Sequence, residues 1–341
     1  MTTNWFRSYL GDRRQIVSGG SSTLPLTHGV VQGSILGPIL FLIFMNDLPS
    51  SLPHGRLLSY ADDTQILDHS LPDPTSLSSL RVRIEESMQH LQNWFQVNGL
   101  KMNANKTDFA LIGTRASLRN AQNFSINISG SIITPSPTIK VLGVLLDQHL
   151  NWDAHVSLVV RRCNAVTASL FRVRHHLTSD ALQLLVNAHV LPHILYCLSV
   201  WGGASRCRMN RVQRSLNFAA RLITGVRRCD HISPALASLG WERVDGMVAR
   251  HDCFNVYRAL SSHCCPEALR DMFGKRSDVS SRTTRATDAG DLRVPRCRLA
   301  QTQRGFRHRA VRTWNALPTK VKVAPSRRAL ISATTSSGVH R

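Results

Sequence analysis

Residues 57–67 read Leu-Leu-Ser-Tyr-Ala-Asp-Asp-Thr-Gln-Ile-Leu. Two short strand-forming runs, Leu57 to Tyr60 and Thr64 to Leu67, flank Ala61, Asp62 and Asp63, residues that suit a tight turn. The stretch predicts a β-hairpin with two adjacent acids at its tip. Neighbouring carboxylates repel, and stay ionised cheaply only where they are exposed or neutralised by cations. A hard divalent ion meets that need, and paired ions of this kind stabilise both the attacking and the leaving oxygen of an in-line phosphoryl displacement. Taken alone the pair decides nothing, because Asp is an ordinary turn residue.

Downstream of the hairpin, Ile84, Met88, Leu91 and Phe95 recur at helical spacing and Asn98-Gly99 is a stop signal, so a helix is expected to pack on the sheet. Asp108 to Ile112 and Ile139 to Leu146 are apolar enough for two further strands, separated by a loop rich in Ser, Pro and Asn. Upstream, Ile35 to Met45 is the longest apolar run. It is too short to span a bilayer, is interrupted by Gly37 and Pro38, and is expected to be a buried helix. Up to about residue 150 the pattern is α+β.

After Trp152 the period is helical throughout. Val156, Val159, Val160, Cys163, Val166, Leu170 and Phe171 form one stripe; Ser179 is the expected cap of a helix from Asp180 toward Trp201, kinked at Pro192. Met209 to Thr224, stopped by Gly225, sets Val212, Leu216, Ala219 and Ile223 on one side. Arg211, Arg214 and Arg221 fall on the other, a basic face open to a nucleic-acid backbone. Past residue 275 the chain is rich in Arg, Ser, Thr and Pro, and a loosely folded basic region is expected there, with a small docking patch at Phe306, Val311, Trp314 and Leu317.

The chain carries 42 Lys and Arg against 21 Asp and Glu, a net charge of +21 over 341 residues. Such a field attracts a polyanion, of which nucleic acid is the commonest. From Tyr60 to Ala110 seven acids face four bases, whereas from Ser281 onward fourteen bases face only Asp288 and Asp291. One part is composed to hold cations, the other phosphates. With 43% apolar residues the chain can bury one or two cores, which excludes a disordered or fibrous class. The eight cysteines show no C-x-x-C pair, and His251, Cys253, His263, Cys264 and Cys265 fit no common spacing, so no zinc site is expected. The N-terminal residues carry no secretory pattern, and no apolar anchor to a membrane is found. An intracellular protein, nuclear or cytoplasmic, is expected.

Four stretches, in order, resemble the lettered motifs B, C, D and E of reverse transcriptases of LINE-type (non-LTR) retrotransposons. They are Gln32-Gly33-Ser34-Ile35-Leu36-Gly37-Pro38 running to Leu48; Tyr60-Ala61-Asp62-Asp63-Thr64; Asn105-Lys106-Thr107; and Ile139 to Asp147. Trp5 to Val17 is similar to the segment these enzymes carry before motif B, and Trp314-Asn315-Ala316-Leu317-Pro318 to a phrase near their end. The resemblance implies a partial polymerase palm over 1–150, an antiparallel sheet with packed helices. It further implies a helical thumb-like domain over 151–275 and a basic C-terminal region over 276–341.

By the same resemblance, Asp62 and Asp63 are the motif C carboxylates that bind Mg²⁺ in a two-metal site, and Gln32 and Gly33 line the nucleotide pocket. Lys106 is the general acid toward departing pyrophosphate, and Ile139 to Leu146 is the strand that grips the primer end. The implied partners are an RNA template, a DNA primer and deoxynucleoside triphosphates. Two departures stand out. The motif A carboxylate finds no match in Asp12 or Asp47, the only acids ahead of Asp62, which implies an N-terminally truncated enzyme impaired in RNA-templated DNA synthesis. Val31 also stands where the family usually has proline. The alternative is a non-catalytic nucleic-acid-binding remnant or domesticated protein.

Overall fold

The computed structural model describes residues 2–16, 22–103, 106–128, 130–261, 265–276 and 290–322. The chain divides into two compact units, Met1–Ile139 and Lys140–Arg341. The division falls about ten residues before the boundary expected near residue 150, inside a strand. Its chemical contrast is sharp. Residues 1–139 hold ten Lys and Arg against nine Asp and Glu, and residues 140–341 hold thirty-two against twelve.

The first unit opens with α1 (Thr2–Leu10) and the hairpin β1 (Arg14–Ile16) and β2 (Thr23–Pro25). Then come α2 (Gly37–Phe44), the hairpin β3 (Arg56–Tyr60) and β4 (Asp63–Leu67), and the long helix α3 (Pro74–Val97). Asp73 caps α3 through a bond from the Ser76 amide, and Pro74 occupies its first turn, where no N–H is needed. One helix serves two small cores. Leu77, Leu80, Ile84 and Met88 pack with Phe109, Phe124, Ile126 and Ile128, while Leu91, Trp94 and Phe95 pack with Phe41, Met45, Leu48, Leu57 and Ile66. Beyond α3 follow α4 (Arg115–Asn120), then β5 (Ile126–Ile128) and β6 (Ser131–Ile133) as a third hairpin.

Two expectations are corrected here. Residues 108–112 form no strand; Phe109 and Leu111 are held against the core as irregular chain, and the Phe109 carbonyl accepts the Ser136 amide. No neighbouring ladder lies there to turn an apolar run into a strand. Helix α2 exists, but it is not a buried helix: Ile39, Leu42, Ile43 and Phe44 are exposed, Ile43 at 65%. Only Gly37 within it is buried, with Phe41 partly so. An apolar run without a polar face gives the fold no instruction about which side to bury, and this helix meets a core on one side alone.

The second unit opens on β7 (Thr138–Val141), in which the division falls, and β8 (Val144–Asp147). The expected single strand over 139–146 is therefore a hairpin. Leu142 and Gly143, with φ of 45° and 85°, form a two-residue turn of the kind that suits the strand twist. Next come α5 (Asp153–Val173), α6 (Ser179–His189), α7 (Leu191–Leu195), α8 (Leu198–Trp201) and α9 (Arg206–Thr224). The helix expected from Asp180 to Trp201 is thus three pieces. Thr178, not Ser179, is the cap of the first; Pro192 begins a new helix rather than kinking one; and Cys197, at φ 50°, breaks the chain again.

Val156, Val159, Cys163, Val186, Ile194, Trp201, Val212 and Leu216 build the main core of this unit, with α10 (Ser233–Ser238) and α11 (Val244–Ser261) closing it. A second core joins Cys253 and Val256 of α11 to Phe273, Leu292, Val311, Trp314 and Leu317. After α12 (Glu267–Arg270), the C-terminal region is accordingly not loose over 290–322: α13 (Ala300–Arg304), α14 (Phe306–Asn315) and α15 (Thr319–Lys322) are formed there, and α14 packs on α11. The expected patch at Val311, Trp314 and Leu317 is the heart of that core. Low periodicity misled because a ten-residue helix shows its apolar face only two or three times.

His155, 3% exposed, ties the hairpin to α5 by accepting the Leu145 amide at Nδ1. Burial, and then the nearby Arg162 charge, holds its pKa below the ordinary imidazole value of 6.5. The unfolded chain therefore takes up the proton more readily than the folded one. The stability that neutral His155 contributes is present above the unfolded pKa and is lost as pH falls below it. Thermal melts are expected to move down between neutral pH and roughly pH 5.5, below the model-peptide His pKa. The slope should flatten in His155→Asn, whose amide oxygen can still accept the Leu145 N–H. His193 is shifted the same way, by burial and then by Arg162 and His189, so some slope remains. An unchanged slope in the variant would show that His155 is not the group responsible.

Candidate functional site

The β3–β4 ladder runs from Arg56↔Leu67 to Tyr60↔Asp63. The turn is thus Ala61 and Asp62, and Asp63 is already the first residue of β4. Ala61 sits at φ 52°, a left-handed conformation that a residue with a Cβ adopts only under constraint. The two legs below it supply that constraint. Leu57 and Ile66, paired across the ladder, pack against Leu91, Trp94 and Phe95 of α3. Asp68, just after β4, receives Arg83 Nε at 2.9 Å and Nη2 at 3.2 Å. Before β3, His54 Nε2 meets Glu86 at 3.0 Å, and the His54 carbonyl accepts the Ser87 hydroxyl. Burial pushes the Asp68 carboxyl up, but the Arg83 bonds and the His69 amide outweigh it and hold the pKa below the usual carboxylate value. The hairpin is clamped at its base and its acidic tip stands free.

Asp62 and Asp63 are both exposed, and neither carboxylate has a hydrogen bond or ion pair among the described residues. Their donor chemistry suits a hard cation. The fit is partial, however: no group of three His, Cys, Asp or Glu side chains that could hold a metal ion occurs among the described residues.

Gln32 and Gly33 form the centre of a β-turn closed by the Ser34 amide on the Val31 carbonyl at 3.3 Å. Gly33 has φ 81°, which assigns it the third position of a type II turn. A Cβ there would meet no atom within 4 Å, so the glycine serves the turn's backbone shape. Ser34 locks the turn to α2: its Oγ donates to the Val31 carbonyl, accepts the Gly37 amide, and accepts Tyr9 Oη at 2.6 Å. Both Gln32 and Gly33 face solvent. Because α2 and the β3–β4 hairpin share the core around Leu91, this turn and the acidic tip ride on one body. Lys106, also exposed, follows Met102 and precedes Phe109, which belong to the other core on α3; Asn105 lies outside the described residues. The structure does not draw Lys106 into contact with either acid.

The three arginines of the expected basic face part company. Arg211 donates to Asp153 and to Ser157 of α5, alongside Arg208 on the same Asp153. Arg221 reaches the carbonyls of Arg227, Arg228 and Asp230, holding the loop after α9. Arg214 alone is exposed, bonded only to the Asn210 carbonyl of its own helix. Helical spacing places residues on a surface; it does not say which neighbour that surface meets. Nor did any local signal mark the Asp68–Arg83 clamp, whose partners lie fifteen residues apart.

The sequence model of the family "Reverse transcriptase (RNA-dependent DNA polymerase)" matches residues 1–146. The chain is 30% identical to "Probable RNA-directed DNA polymerase from transposon BS" of Drosophila melanogaster, over 72% of this chain and 28% of that protein. It is 27% identical to "RNA-directed DNA polymerase from mobile element jockey" of the same species, over 64% of this chain and 24% of the relative. "Probable RNA-directed DNA polymerase from transposon X-element" is 27% identical over the same shares. The chain spans about a quarter of the length of these relatives. No solved structure matches it. Among the described residues, no helix is long and apolar enough to cross a membrane.

Proposed function

Because this chain belongs, through residues 1–146, to the reverse transcriptases of LINE-type (non-LTR) retrotransposons, we propose that it forms the later palm, thumb and C-terminal part of an RNA-directed DNA polymerase. The observation that carries the reading is the free acidic tip on a hairpin clamped at its base, inside the family segment. Asp62 and Asp63 would hold Mg²⁺, which supplies charge stabilisation at the reacting phosphate. The Gln32–Gly33 turn would border the incoming nucleotide, offering backbone that can approach a base closely. Lys106 would give a proton to departing pyrophosphate, a role suited to an ammonium beside a polyphosphate. The β7–β8 hairpin would meet the primer end, and the helices after it the duplex of RNA template and DNA primer.

With no third His, Cys, Asp or Glu grouped with Asp62 and Asp63 among the described residues, the clamp on the phosphate is incomplete, so the chain alone is impaired in nucleotide addition while it keeps its substrate-binding surfaces. The test is primer extension on an RNA template with Mg²⁺ and deoxynucleoside triphosphates, run beside Asp62→Ala/Asp63→Ala. The expected result is duplex binding by both proteins and extension by neither. Metal affinity, followed with Mn²⁺ as the spectroscopic probe, should weaken roughly tenfold in the double variant, about 1.4 kcal/mol. Extension lost only in the variant would overturn the impairment. Absence of duplex binding would overturn the polymerase reading itself.

A further inference from the structure

Within the second unit, a cavity of about 250 Å³ lies where the β7–β8 turn meets α5 and α7. Its polar lining is His155 and Arg162 of α5, His193 of α7 and Tyr196, with Gly143 at the hairpin. No acid lines it. His155 accepts the Leu145 amide at Nδ1, and a neutral ring that accepts at one nitrogen carries its proton on the other. Burial and the Arg162 charge keep the ring neutral. Nε2 is therefore a donor, and it is buried with no partner. Arg162 is exposed and takes part in none of the ion pairs among the described residues. Tyr196 spends its hydroxyl proton on the Leu142 carbonyl at 2.6 Å, which fixes the turn as one wall. A Cβ on Gly143 would stand 3.5 Å from the Tyr196 ring, in ordinary contact, so the wall is close-fitting.

An unmet buried donor, an unpaired guanidinium and a second imidazole, with no acid opposite, call for an anionic acceptor. His155 and Arg162 both stand on α5 and His193 lines the cavity from α7, so an anion with oxygens to offer to both helices suits it. We infer that this cavity binds a phosphate group, its oxygens accepting from His155 Nε2 and the Arg162 guanidinium. The group could belong to a strand phosphodiester or to a free phosphate. The inference does not depend on the role of the acidic tip, and no residue of that tip takes part in it.

The test is calorimetric titration of the full chain at constant ionic strength, with inorganic phosphate in one arm and a dinucleotide phosphodiester in the other. Three proteins are compared: the natural chain, Arg162→Gln, and Arg172→Gln, which removes the same charge from the same helix away from the cavity. Thermal melting checks that both variants fold. Affinity for at least one probe should fall tenfold or more in Arg162→Gln and stay within twofold in Arg172→Gln. Loss in the phosphodiester arm alone identifies a strand as the source, and loss in the inorganic arm a free phosphate. Equal weakening by the two variants, or no binding of either probe by the natural chain, would overturn the site.

Discussion

Replacing Arg309 with Ala is expected to destabilise the helical unit by about 3–5 kcal/mol at neutral pH, the range for removing one partner of a buried ion pair. Asp252 of α11 is fully buried and receives Arg309 Nε at 2.6 Å and Nη2 at 3.1 Å; the same guanidinium donates to the carbonyls of Ser199 and Arg304. This one side chain therefore stitches α14 to α11 and to α8. Burial raises the Asp252 pKa, outweighing the Arg309 and Ser199 bonds. Attraction thus falls short of full repayment for the lost hydration. Two results follow from that balance. Asp252→Asn, which removes the charge and keeps the shape, should cost well under half as much as Arg309→Ala. The cost of Arg309→Ala should also shrink as pH is lowered toward 5, because the stranded carboxyl can then take a proton. Chemical denaturation of the three proteins at two pH values measures this, and equal costs for the two variants would refute it.

The largest effect on binding should come from salt. Thirty-two bases against twelve acids in residues 140–341 make the second unit the seat of nearly all the net charge. If it neutralises roughly six to ten phosphates, affinity for a primer–template duplex should fall on the order of 10³–10⁵-fold between about 50 and 200 mM salt. Arg214, exposed and bonded among the described residues only to a carbonyl of its own helix, should account for one such contact. Arg214→Gln is then expected to reduce the slope of log affinity against log salt by about 0.9. Arg221→Gln should leave that slope alone, because its guanidinium is engaged with the loop at 227–230, and should instead loosen the loop. Filter-binding titrations across salt settle it. Affinity that does not change with salt would remove the electrostatic interface altogether.

The two predictions draw on opposite kinds of information. The charge imbalance is visible in composition, and so was the acidic hairpin, because strand alternation and turn chemistry are local and need only the residues themselves. The helix through Ile84, Met88, Leu91 and Phe95 was equally legible, since its apolar stripe repeats over about three turns. The ion pair at Asp252 was not. Its partners stand fifty-seven residues apart, and nothing in either neighbourhood distinguishes a buried arginine from an exposed one.

The same limit explains the elements that came out differently. Ile139 to Leu146 is apolar apart from Lys140 and Gly143, and only the positive φ at Leu142 and Gly143 turns one strand into two. The apolar run of α2 promised burial, but burial requires a neighbour on each side, and the fold supplies one. The sequence by itself determined the kind of each long element, the acidic tip and the polarity of charge along the chain, all of which follow from short-range sterics and composition. The tertiary structure alone decided which arginines are free, which histidine is buried with one ring nitrogen unmet and how the hairpin is held, because each depends on long-range contacts that packing creates.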